Sequence, residues 1–458
     1  MPLVTEFTIH KLNGRDDITI RLRGDHCILV GPNGTGKSTA LQILAYALGR
    51  QWKGLGSLRF DALDIVFSDG KVATLSRSAC LNFSRPAPAG SRMTRAEQTL
   101  TELDVFETFL AADLNNSVFS EQFSSLLRLS RSDTQMLQRR MRASGGDKAS
   151  QKQVLDFVAM LKEQAVPTVL YLPTYRRIEL ELTKVLGDVP DYYRMQAAGH
   201  VKTGIATEFL VELVKFGMED ITAAIQSFER QTRDFARNRF NRMMTSYLKE
   251  MANSNVLSVG DLRSRHIDAR TIEMVLSRIE EGLLSTTEKQ QISDIILDLS
   301  AGPGAGNQPF NKKWLAHFFV RLMEVNTDIE DRESAVRNLV KSLDKYFYPK
   351  SVSYDIESYH FAIKEMSGDE LKLSDLSSGE KQLVSILSQL HLQSSGKKFI
   401  VLVDEPELSL SVPWQSDLLP DITATSACKQ LFAVTHSPFV YDNSLSGMVV
   451  DFAPVLER

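Results

Sequence analysis

Hydrophobic residues near the start of the chain follow the period of strands and then that of a helix. Ile18, Ile20 and Leu22 alternate with polar residues, which is typical of a half-buried strand. The apolar run His26–Val30 predicts a buried strand. After a glycine-rich turn, the apolar positions of Ser38–Leu48 recur at helical spacing. The sequence therefore predicts a strand, a glycine-rich loop and a helix in succession.

The middle of the chain, from about residue 96 to about residue 345, has mostly helical periodicity. Two sets of apolar residues predict helix faces: Val154, Phe157, Val158 and Leu161, and further on Phe209, Leu210, Leu213 and Val214. Between them, Thr168–Pro173 is strand-like, and we expect it to return briefly to a sheet.

Strand patterns come back after about residue 346. The predicted strands are Ser351–Glu357, His360–Lys364, a short Leu371–Leu373, and Phe399–Val403. We therefore expect an α/β fold in which residues 1–95 and 346–458 form one sheet domain. Residues 96–345 would be a mainly helical insertion, with the strand near 168–173 belonging to the sheet domain.

Composition narrows the class of protein. The 458 residues are 43% hydrophobic and 24% charged, with a formal net charge of −4, as in soluble globular proteins. This balance excludes a bulk polycation but allows a local basic patch. No apolar run approaches the roughly 18 residues of a membrane span, and no signal peptide is apparent. Three scattered cysteines favour a reducing cytoplasm over a disulfide framework or a zinc site.

A phosphate-binding loop is the first motif with chemistry. It matches G-x-x-x-x-G-K-[ST] and consists of Gly31, Pro32, Asn33, Gly34, Thr35, Gly36, Lys37, Ser38 and Thr39. The glycines let backbone N–H groups converge on phosphate oxygens, and the following helix adds its positive dipole end. We expect Lys37 to reach the β- and γ-phosphates of a nucleotide and the Ser38 hydroxyl to coordinate Mg²⁺.

Two carboxylates follow the most strand-like run of the chain. Phe399–Val403 delivers Asp404 and Glu405 to the carboxyl end of a buried strand, where ligands of open α/β sheets bind. Asp404 is placed to hold the Mg²⁺ shell, and Glu405 is placed to polarise an attacking water. An apolar strand that ends in Asp-Glu is a weak signal by itself, and the phosphate loop makes it a strong one.

Two further segments have both a structural and a functional interpretation. Ser377, Ser378 and Gly379 precede an apolar helix, so they form either an anion-binding helix N-terminus or an ordinary cap. His436 lies in a turn after a short apolar run, where a histidine is usually structural. It could also hydrogen-bond the γ-phosphate of a nucleotide.

The four motifs occur in the order GPNGTGKST, LSSGEKQ, VLVDEPE and VTHSPF, and together they resemble an ABC-class ATPase. The resemblance identifies them with the Walker A, signature, Walker B and switch-histidine motifs. It implies ATP and Mg²⁺ as ligands and Lys37, Glu405 and His436 as catalytic residues. It also implies that Ser377, Ser378 and Gly379 contact ATP bound to a second copy of the chain.

The spacing of the motifs resembles one branch of this class. Most of the chain separates Lys37 from Ser377, whereas transporter subunits place these motifs close together. A large helical insertion resembles the SMC, Rad50, RecF and OLD branch. Three segments of the sequence are most similar to the ATPase subunits of PARIS anti-phage systems, followed by Septu and retron-associated ATPases. These segments are DEPELSLSVPWQSDLLPDI, VTHSPFVYDN and YLPTYRRIE.

The sequence departs from the wider family in three places. The signature has Ser378 and Glu380 where transporters usually have Gly and Gln. Ser411 occupies the place of the usual D-loop aspartate. No Q-loop glutamine can be assigned, and Arg176 and Arg177 are candidates for part of its role, with surface ion pairs as the alternative.

The resemblance also implies partners. OLD-type enzymes carry a Toprim nuclease domain after the switch-histidine motif, and we expect none after Phe439. We therefore expect a cytoplasmic sensor that forms ATP-sandwich homo-oligomers, holds a separate toxic effector such as a Toprim-type nuclease, and responds to a phage-encoded trigger protein.

Two stretches of the insertion are basic, Arg131–Gln153 and the arginines between residues 230 and 242. Each stretch is either a binding surface for nucleic acid or an ordinary solvated helix face. The alternatives are a Rad50- or RecF-like DNA-repair ATPase and, less favoured, a transporter subunit.

Overall fold

A computed structural model of the chain describes most of its residues in two compact units. The described residues are 2–83, 96, 100, 109, 112, 114–143, 148–173, 210–212, 218–253, 267–279, 284–301, 310–392 and 396–452. One unit comprises residues 1–217 and 394–458, and the other comprises residues 218–393. Each unit is described by itself below.

A six-stranded parallel sheet organises the first unit. Its order is β12-β3-β11-β10-β6-β7. The bounds are β3 Cys27–Val30, β6 Thr168–Leu172, β7 Leu210–Glu212, β10 Phe399–Asp404, β11 Cys428–Val434 and β12 Val449–Asp451. All five strand pairs are parallel, so the carboxyl ends of the strands lie along one edge. β10 is buried along its whole length, which explains why its sequence is a continuous apolar run.

The first unit also contains helices, of which those at Lys37–Leu48 and Val412–Ala424 contact strands of this sheet. The helices are α1 Lys37–Leu48, α2 Trp52–Ser57, α3 Arg77–Phe83, α4 Ser117–Leu127, α5 Arg131–Ala143, α6 Lys148–Glu163 and α12 Val412–Ala424. The apolar face of α6 is buried in the core that also holds the α1 side chains. Trp52 on α2 meets Phe157 on α6 edge to face, with ring centroids 6.1 Å apart. The predicted apolar face of α6 is therefore confirmed.

A second, antiparallel sheet lies against the first. Its order is β2-β1-β4-β5, with β1 Val4–His10, β2 Ile18–Arg21, β4 Ala62–Phe67 and β5 Val72–Ser76. Phe7 and Phe432 join the two sheets through an edge-to-face contact at 6.1 Å. Gln430, which is 0% exposed, accepts hydrogen bonds from the N–H groups of Leu3 and Val4 at 3.1 and 3.0 Å. Its amide donates to the Val4 carbonyl at 2.8 Å.

The second unit is mainly helical. Its elements are α7 Met218–Ala252, α8 Ala269–Ser277, α9 Thr286–Ala301, α10 Phe310–Phe347, α11 Ser378–His391, and the hairpin of β8 Ser351–Asp355 with β9 His360–Lys364. The long helices α7 and α10 pack together, and α8 and α9 contribute to their shared apolar core. Arg278 donates from both terminal nitrogens to Glu333 at 2.7 Å, with both side chains buried, so this ion pair holds α10 to the end of α8.

The predicted α/β fold class is confirmed, because strands from both chain ends share one parallel sheet and a mainly helical segment separates them. β6 lies in that sheet between β10 and β7. The predicted helix face at 209–214 is wrong where it is described, since Leu210–Glu212 is the edge strand β7. A short apolar run fits either element, and pairing with β6 decides it. The predicted strand Leu371–Leu373 is replaced by a 3₁₀ turn at Leu373–Asp375.

The hairpin β8–β9 pairs only with itself in the described structure and falls in the second unit, not in the large sheet. The compact units divide after residues 217 and 393. The boundaries drawn from the sequence, at 95/96 and 345/346, stay a prediction about the extent of the insertion.

Replacing Gln430 by Leu should destabilise the first unit strongly. The apolar side chain has a similar shape but leaves the N–H groups of Leu3 and Val4 and the Val4 carbonyl without their partner. Each buried polar group left unpaired costs about 1 to 3 kcal/mol, so we expect a loss of about 2 to 5 kcal/mol in urea-induced unfolding.

Gln42→Leu is the matched control for this variant. Gln42 is half-buried and donates to the Tyr46 hydroxyl at 3.0 Å. Among the described residues, no backbone group has a side-chain hydrogen bond to Gln42 that the substitution would remove. We expect it to cost about 1 kcal/mol or less. Equal losses in the two variants would show that Gln430 does not join the sheets energetically.

Candidate functional site

The phosphate loop connects β3 to α1 at the carboxyl edge of the parallel sheet. Gly31, Gly34 and Gly36 have positive φ angles of 154°, 76° and 101°. The backbone angle of Gly36 favours glycine, and a Cβ atom there would also lie 3.0 Å from the Leu12 side chain, which would have to shift slightly. Pro32, Asn33 and Gly34 are exposed, and Thr35 donates its hydroxyl proton to the Pro32 carbonyl at 3.0 Å.

Lys37 folds across this loop from the first turn of α1. Its ammonium donates to the carbonyls of Gly31 and Pro32 at 2.9 and 2.8 Å. The residue is only 4% exposed. Burial lowers the pKa of Lys37 below its usual value, and the nearby carboxylates, with Glu405 the foremost, oppose this shift.

Ser38 and Asp404 are brought into direct contact although the whole insertion separates them in sequence. The Ser38 hydroxyl donates to Oδ1 of Asp404 at 2.9 Å. Asp404 is the last residue of β10 and is buried, so its position is set by the strand. The following Thr39 is half-buried on α1. The pair of oxygens from Ser38 and Asp404 is chemically suited to a hard cation such as Mg²⁺.

Glu405 and His436 follow neighbouring strands at the same edge. Glu405 leaves β10 in a left-handed conformation with φ 48° and ψ 59°, and its N–H donates to the Val434 carbonyl at 2.8 Å. His436 lies two residues beyond β11, and its Nε2 is 3.8 Å from Oε1 of Glu405. That distance is too long for a hydrogen bond, so the two side chains are neighbours without being bonded.

Glu407 and Gln415 also belong to this site, and the sequence patterns did not single them out. Oε1 of Glu407 accepts from the backbone N–H groups of His436 and Ser437 at 2.7 and 3.2 Å. Gln415 on α12 accepts the Ser437 hydroxyl at 2.7 Å. Glu407 and Gln415 both lie in the sequence segment DEPELSLSVPWQ. Nothing in strand or helix periodicity indicates that they bond to a backbone turn after another strand.

The signature residues lie in the second unit. Ser377 is the N-cap of α11 and forms a capping box with Glu380, whose N–H donates to the Ser377 hydroxyl at 3.3 Å while Oε2 accepts from the Ser377 N–H at 2.8 Å. Ser377 and Ser378 are exposed, and Gly379 is buried. The cap reading is thus correct at the level of structure, and the exposed helix N-terminus keeps the anion-binding interpretation available.

Glu380 is buried and turns back toward its own helix. Its Oε1 accepts from the Lys350 ammonium at 2.7 Å. Burial pushes the pKa of Glu380 upward, but the hydrogen bonds from Lys350 and from Ser377 outweigh it, so the pKa lies below the usual value. The negative charge at this unusual signature position is therefore neutralised within the second unit.

Some of the arginines predicted to form a basic stripe on α7 bond to other groups of the second unit, and others are exposed. Arg233 donates to the Ser358 carbonyl at 2.9 Å, and Arg239 pairs with Asp328. Arg230, Arg237 and Arg242 are exposed. A shallow groove of about 360 Å³ is lined by Asn238, Asn241, Arg242, Thr245, Ser246 and Lys249. Arg176 and Arg177 lie outside the described residues.

Part of the chain is similar to a known family. Residues 267–442, less than half of the chain, match the family described as "AAA domain, putative AbiEii toxin, Type IV TA system". The match includes the signature, the Walker B strand and the switch histidine, and it begins after the phosphate loop. No curated protein matches the chain.

Three solved structures show distant similarity. A Pyrococcus furiosus Smc head domain with an extended coiled coil, bound to the C-terminal domain of ScpA, is 12% identical, with 99% of this chain and 94% of that chain covered and a TM-score of 0.33. A Pyrococcus yayanosii Smc head domain with a coiled coil and joint is 13% identical, with 98% and 95% covered and a TM-score of 0.30. The recombination mediator RecF is 11% identical, with 95% and 93% covered and a TM-score of 0.28.

The architecture itself gives the class. A phosphate loop follows a strand of a parallel sheet, its serine meets the aspartate that ends a neighbouring strand, and both chain ends build the sheet. The chain has an α/β fold in which a phosphate-loop motif lies at the carboxyl edge of a parallel sheet built from both ends of the chain. Within the described residues, no helix combines the length and apolar character that crossing a membrane requires.

The Glu380 network makes the stability of the second unit depend on pH. A depressed pKa in the folded state means that the stabilisation is fully present above the ordinary value of 4.5 and is lost as the pH falls through the folded value. We therefore expect wild type to exceed Glu380→Gln in free energy of unfolding at pH 7, with the difference shrinking steadily below pH 4.5.

Ser378→Ala serves as the control in the same helical turn, because it removes no titrating group. Its unfolding free energy should run parallel to that of wild type across the same pH range. A constant difference between wild type and Glu380→Gln from pH 7 to about pH 3 would contradict the assigned network.

Proposed function

We propose that the chain is an ABC-class ATPase that hydrolyses ATP to ADP and phosphate. The observation that carries this proposal is the 2.9 Å hydrogen bond between Ser38 and Asp404, because it joins the phosphate loop to the Walker B strand. The same sheet edge brings Lys37, Glu405 and His436 to this pair. A phosphate loop with its lysine, an aspartate beside the loop serine and a second carboxylate able to orient water are parts that phosphoryl transfer to water uses.

The phosphate loop would hold the nucleotide. The backbone N–H groups of the loop residues other than Pro32, together with the N-terminus of α1, would surround the phosphates, and Lys37 would exchange its two carbonyl partners for phosphate oxygens. Ser38 and Asp404 would hold Mg²⁺, which neutralises charge on the β- and γ-phosphates when it is bound. Both side chains offer oxygen ligands, and their 2.9 Å contact supports the proposal that they share one site.

Hydrolysis would use the two groups after β10 and β11. Glu405 orients and polarises the attacking water, and His436 donates a hydrogen bond to the γ-phosphate. The 3.8 Å between them leaves both free to turn toward the γ-phosphate and the water. Neither side chain is fully buried, so both can meet a ligand at the sheet edge.

A second copy of the chain would complete the site. Ser377 and Ser378 are exposed at the N-terminus of α11, and the adjoining Gly379 is buried. Because Glu380 already bonds to the Ser377 N–H, its charge is turned away from this surface. An ATP-sandwich homo-oligomer, in which these residues grip the γ-phosphate bound to another protomer, uses every exposed group of the motif.

We further propose that this ATPase is the cytoplasmic sensor and scaffold of a bacterial anti-phage system. It holds a separate toxic effector, a Toprim-type nuclease, and releases it when a phage-encoded trigger protein is detected. The support is the resemblance of the motif wording to ATPases of the PARIS type. Part of the chain also matches a family described as a putative AbiEii toxin of a type IV toxin–antitoxin system, and the proposed system likewise contains a toxic component.

The favoured alternative is a Rad50- or RecF-like DNA-repair ATPase. The exposed cations Arg237, Arg242 and Lys249 on one long helix favour it, because they offer contacts to phosphate groups. The Met244, Leu248 and Met251 side chains exposed on the same helix suit a protein partner better than a nucleic acid.

Two substitutions should separate ATP binding from hydrolysis. Lys37→Ala removes the ammonium that meets the phosphates, so ATP affinity should fall at least tenfold. Glu405→Gln keeps the shape but loses the base, so it should bind ATP normally while turnover falls by about 100-fold or more. Turnover at the wild-type rate in Glu405→Gln would contradict the role of Glu405.

The defence function predicts an effector-dependent output. The chain should be purified alone and with the polypeptide encoded by the neighbouring gene, and cleavage of DNA and RNA should be assayed with Mg²⁺ and ATP. We expect no cleavage by the chain alone, and cleavage when the partner is freed. Robust metal-dependent cleavage by this chain alone would overturn the proposal, and ATP-dependent, salt-sensitive DNA binding without a toxic partner would favour the repair alternative.

A further inference from the structure

A ring of hydrogen bonds joins the segments that follow β10 and β11. Glu407 lies in the 3₁₀ turn Pro406–Ser409, two residues after Glu405. Its Oε1 accepts from the N–H groups of His436 and Ser437 at 2.7 and 3.2 Å. A carboxylate oxygen that accepts two backbone donors makes strong, charge-assisted bonds. The backbone at His436 is therefore tied to the chain segment that carries Glu405.

The ring closes through α12. The Ser437 hydroxyl donates to Oε1 of Gln415 at 2.7 Å. The Gln415 amide donates at 3.0 Å to the carbonyl of Leu410, the residue that directly follows the same 3₁₀ turn, and this bond is buried. Glu407 and Gln415 thus both form hydrogen bonds to the segment after β11. Glu407 is part of the turn after β10, and Gln415 bonds to the residue that follows this turn.

The connection between Glu405 and Glu407 is short and stiff. Pro406 stands between them at the start of the 3₁₀ turn, and its ring fixes one backbone angle. Glu405 is itself held by its N–H bond to the Val434 carbonyl. A shift of the Glu405 backbone is therefore transmitted to His436 through Glu407, and the reverse also holds.

We propose that Glu407 is a positioning residue that fixes His436 relative to Glu405 for ATP hydrolysis, with Gln415 completing the support. This inference rests on the proposed ATPase function. Only the backbone of His436 is bonded in the ring, so its imidazole stays available for the γ-phosphate while its starting point is fixed. Misplacing a reacting group by about 1 Å can cost about 100-fold in rate, which sets the scale of the effect.

The geometry distinguishes positioning from a direct chemical role for Glu407. Oε1 is engaged by two backbone donors, whereas the buried Oε2 has no hydrogen-bond partner in the described part of the chain. Glu407→Gln can keep the accepting oxygen and remove only the charge. If the charge or a proton transfer mattered, Gln would fail as badly as Ala. If positioning matters, Gln should restore the activity that Ala loses.

The experiment compares steady-state ATP hydrolysis of wild type, Glu407→Ala, Glu407→Gln and Gln415→Leu. For Glu407→Ala we expect kcat to fall about 10- to 100-fold with KM for ATP within about twofold, because the phosphate loop is untouched. Glu407→Gln should recover most of that loss. Gln415→Leu should lose less than Glu407→Ala, because the His436 N–H keeps its acceptor.

A second readout does not depend on nucleotide. Amide hydrogen exchange at residues 435–438 in the nucleotide-free protein should be faster in Glu407→Ala and close to wild type in Glu407→Gln. Thermal melting of each variant identifies any general loss of fold.

The outcomes separate the two hypotheses. Unchanged kcat in Glu407→Ala, or equal losses in Ala and Gln, would overturn the positioning role. Absence of ATP hydrolysis in wild type would refute the proposed function instead. In that case the hydrogen exchange decides the inference, with faster exchange in Ala alone supporting the anchor and equal exchange in all variants overturning it.

Discussion

The parallel register of β3, β11 and β10 is the constraint on which the site depends. Leu29 pairs with Val434, and Val434 pairs with Asp404, so three strands from distant parts of the chain end at one level. The phosphate loop, His436 and the two carboxylates leave those ends. Because successive residues of a strand face opposite sides, a slip of one residue in β10 would remove Asp404 from Ser38. The buried, apolar character of β10 fixes the position of the strand, and thereby the contact between Asp404 and Ser38.

The elements of the site that have their own local sequence patterns could be predicted. The phosphate loop, the apolar strand before Asp404 and the apolar helix α1 each have a period or motif of their own, and parallel strands must align their ends. Contacts between segments were not predictable, since no period encodes them. Glu407 reaches a turn after another strand, and Gln430 bonds to the first strand of the chain. Strand β7 was misassigned because three residues are too few to show a period.

The signature segment shows how one serine can serve two roles. The Ser377 oxygen accepts from the Glu380 N–H, which stabilises the start of α11, while its own proton remains to be donated outward. Glu380 is kept from opposing an anion there because Lys350 pairs with it inside the unit. An acidic residue at this position is thus compatible with a phosphate nearby, because its charge is satisfied before a ligand arrives.

Under the proposed function, the way Lys37 folds over its own loop would let the nucleotide site discriminate between ligands. Its ammonium already has two good acceptors in the carbonyls of Gly31 and Pro32. When a ligand binds, Lys37 gives up these two hydrogen bonds. The ligand is therefore stabilised by Lys37 only to the extent that its own bonds to the ammonium are stronger than the two that are lost. A single small anion, or a nucleoside with one phosphate, has little surplus to offer. A polyphosphate chain that also engages the loop amides and the start of α1 has much more, so the resting loop is guarded against the abundant simple anions around it.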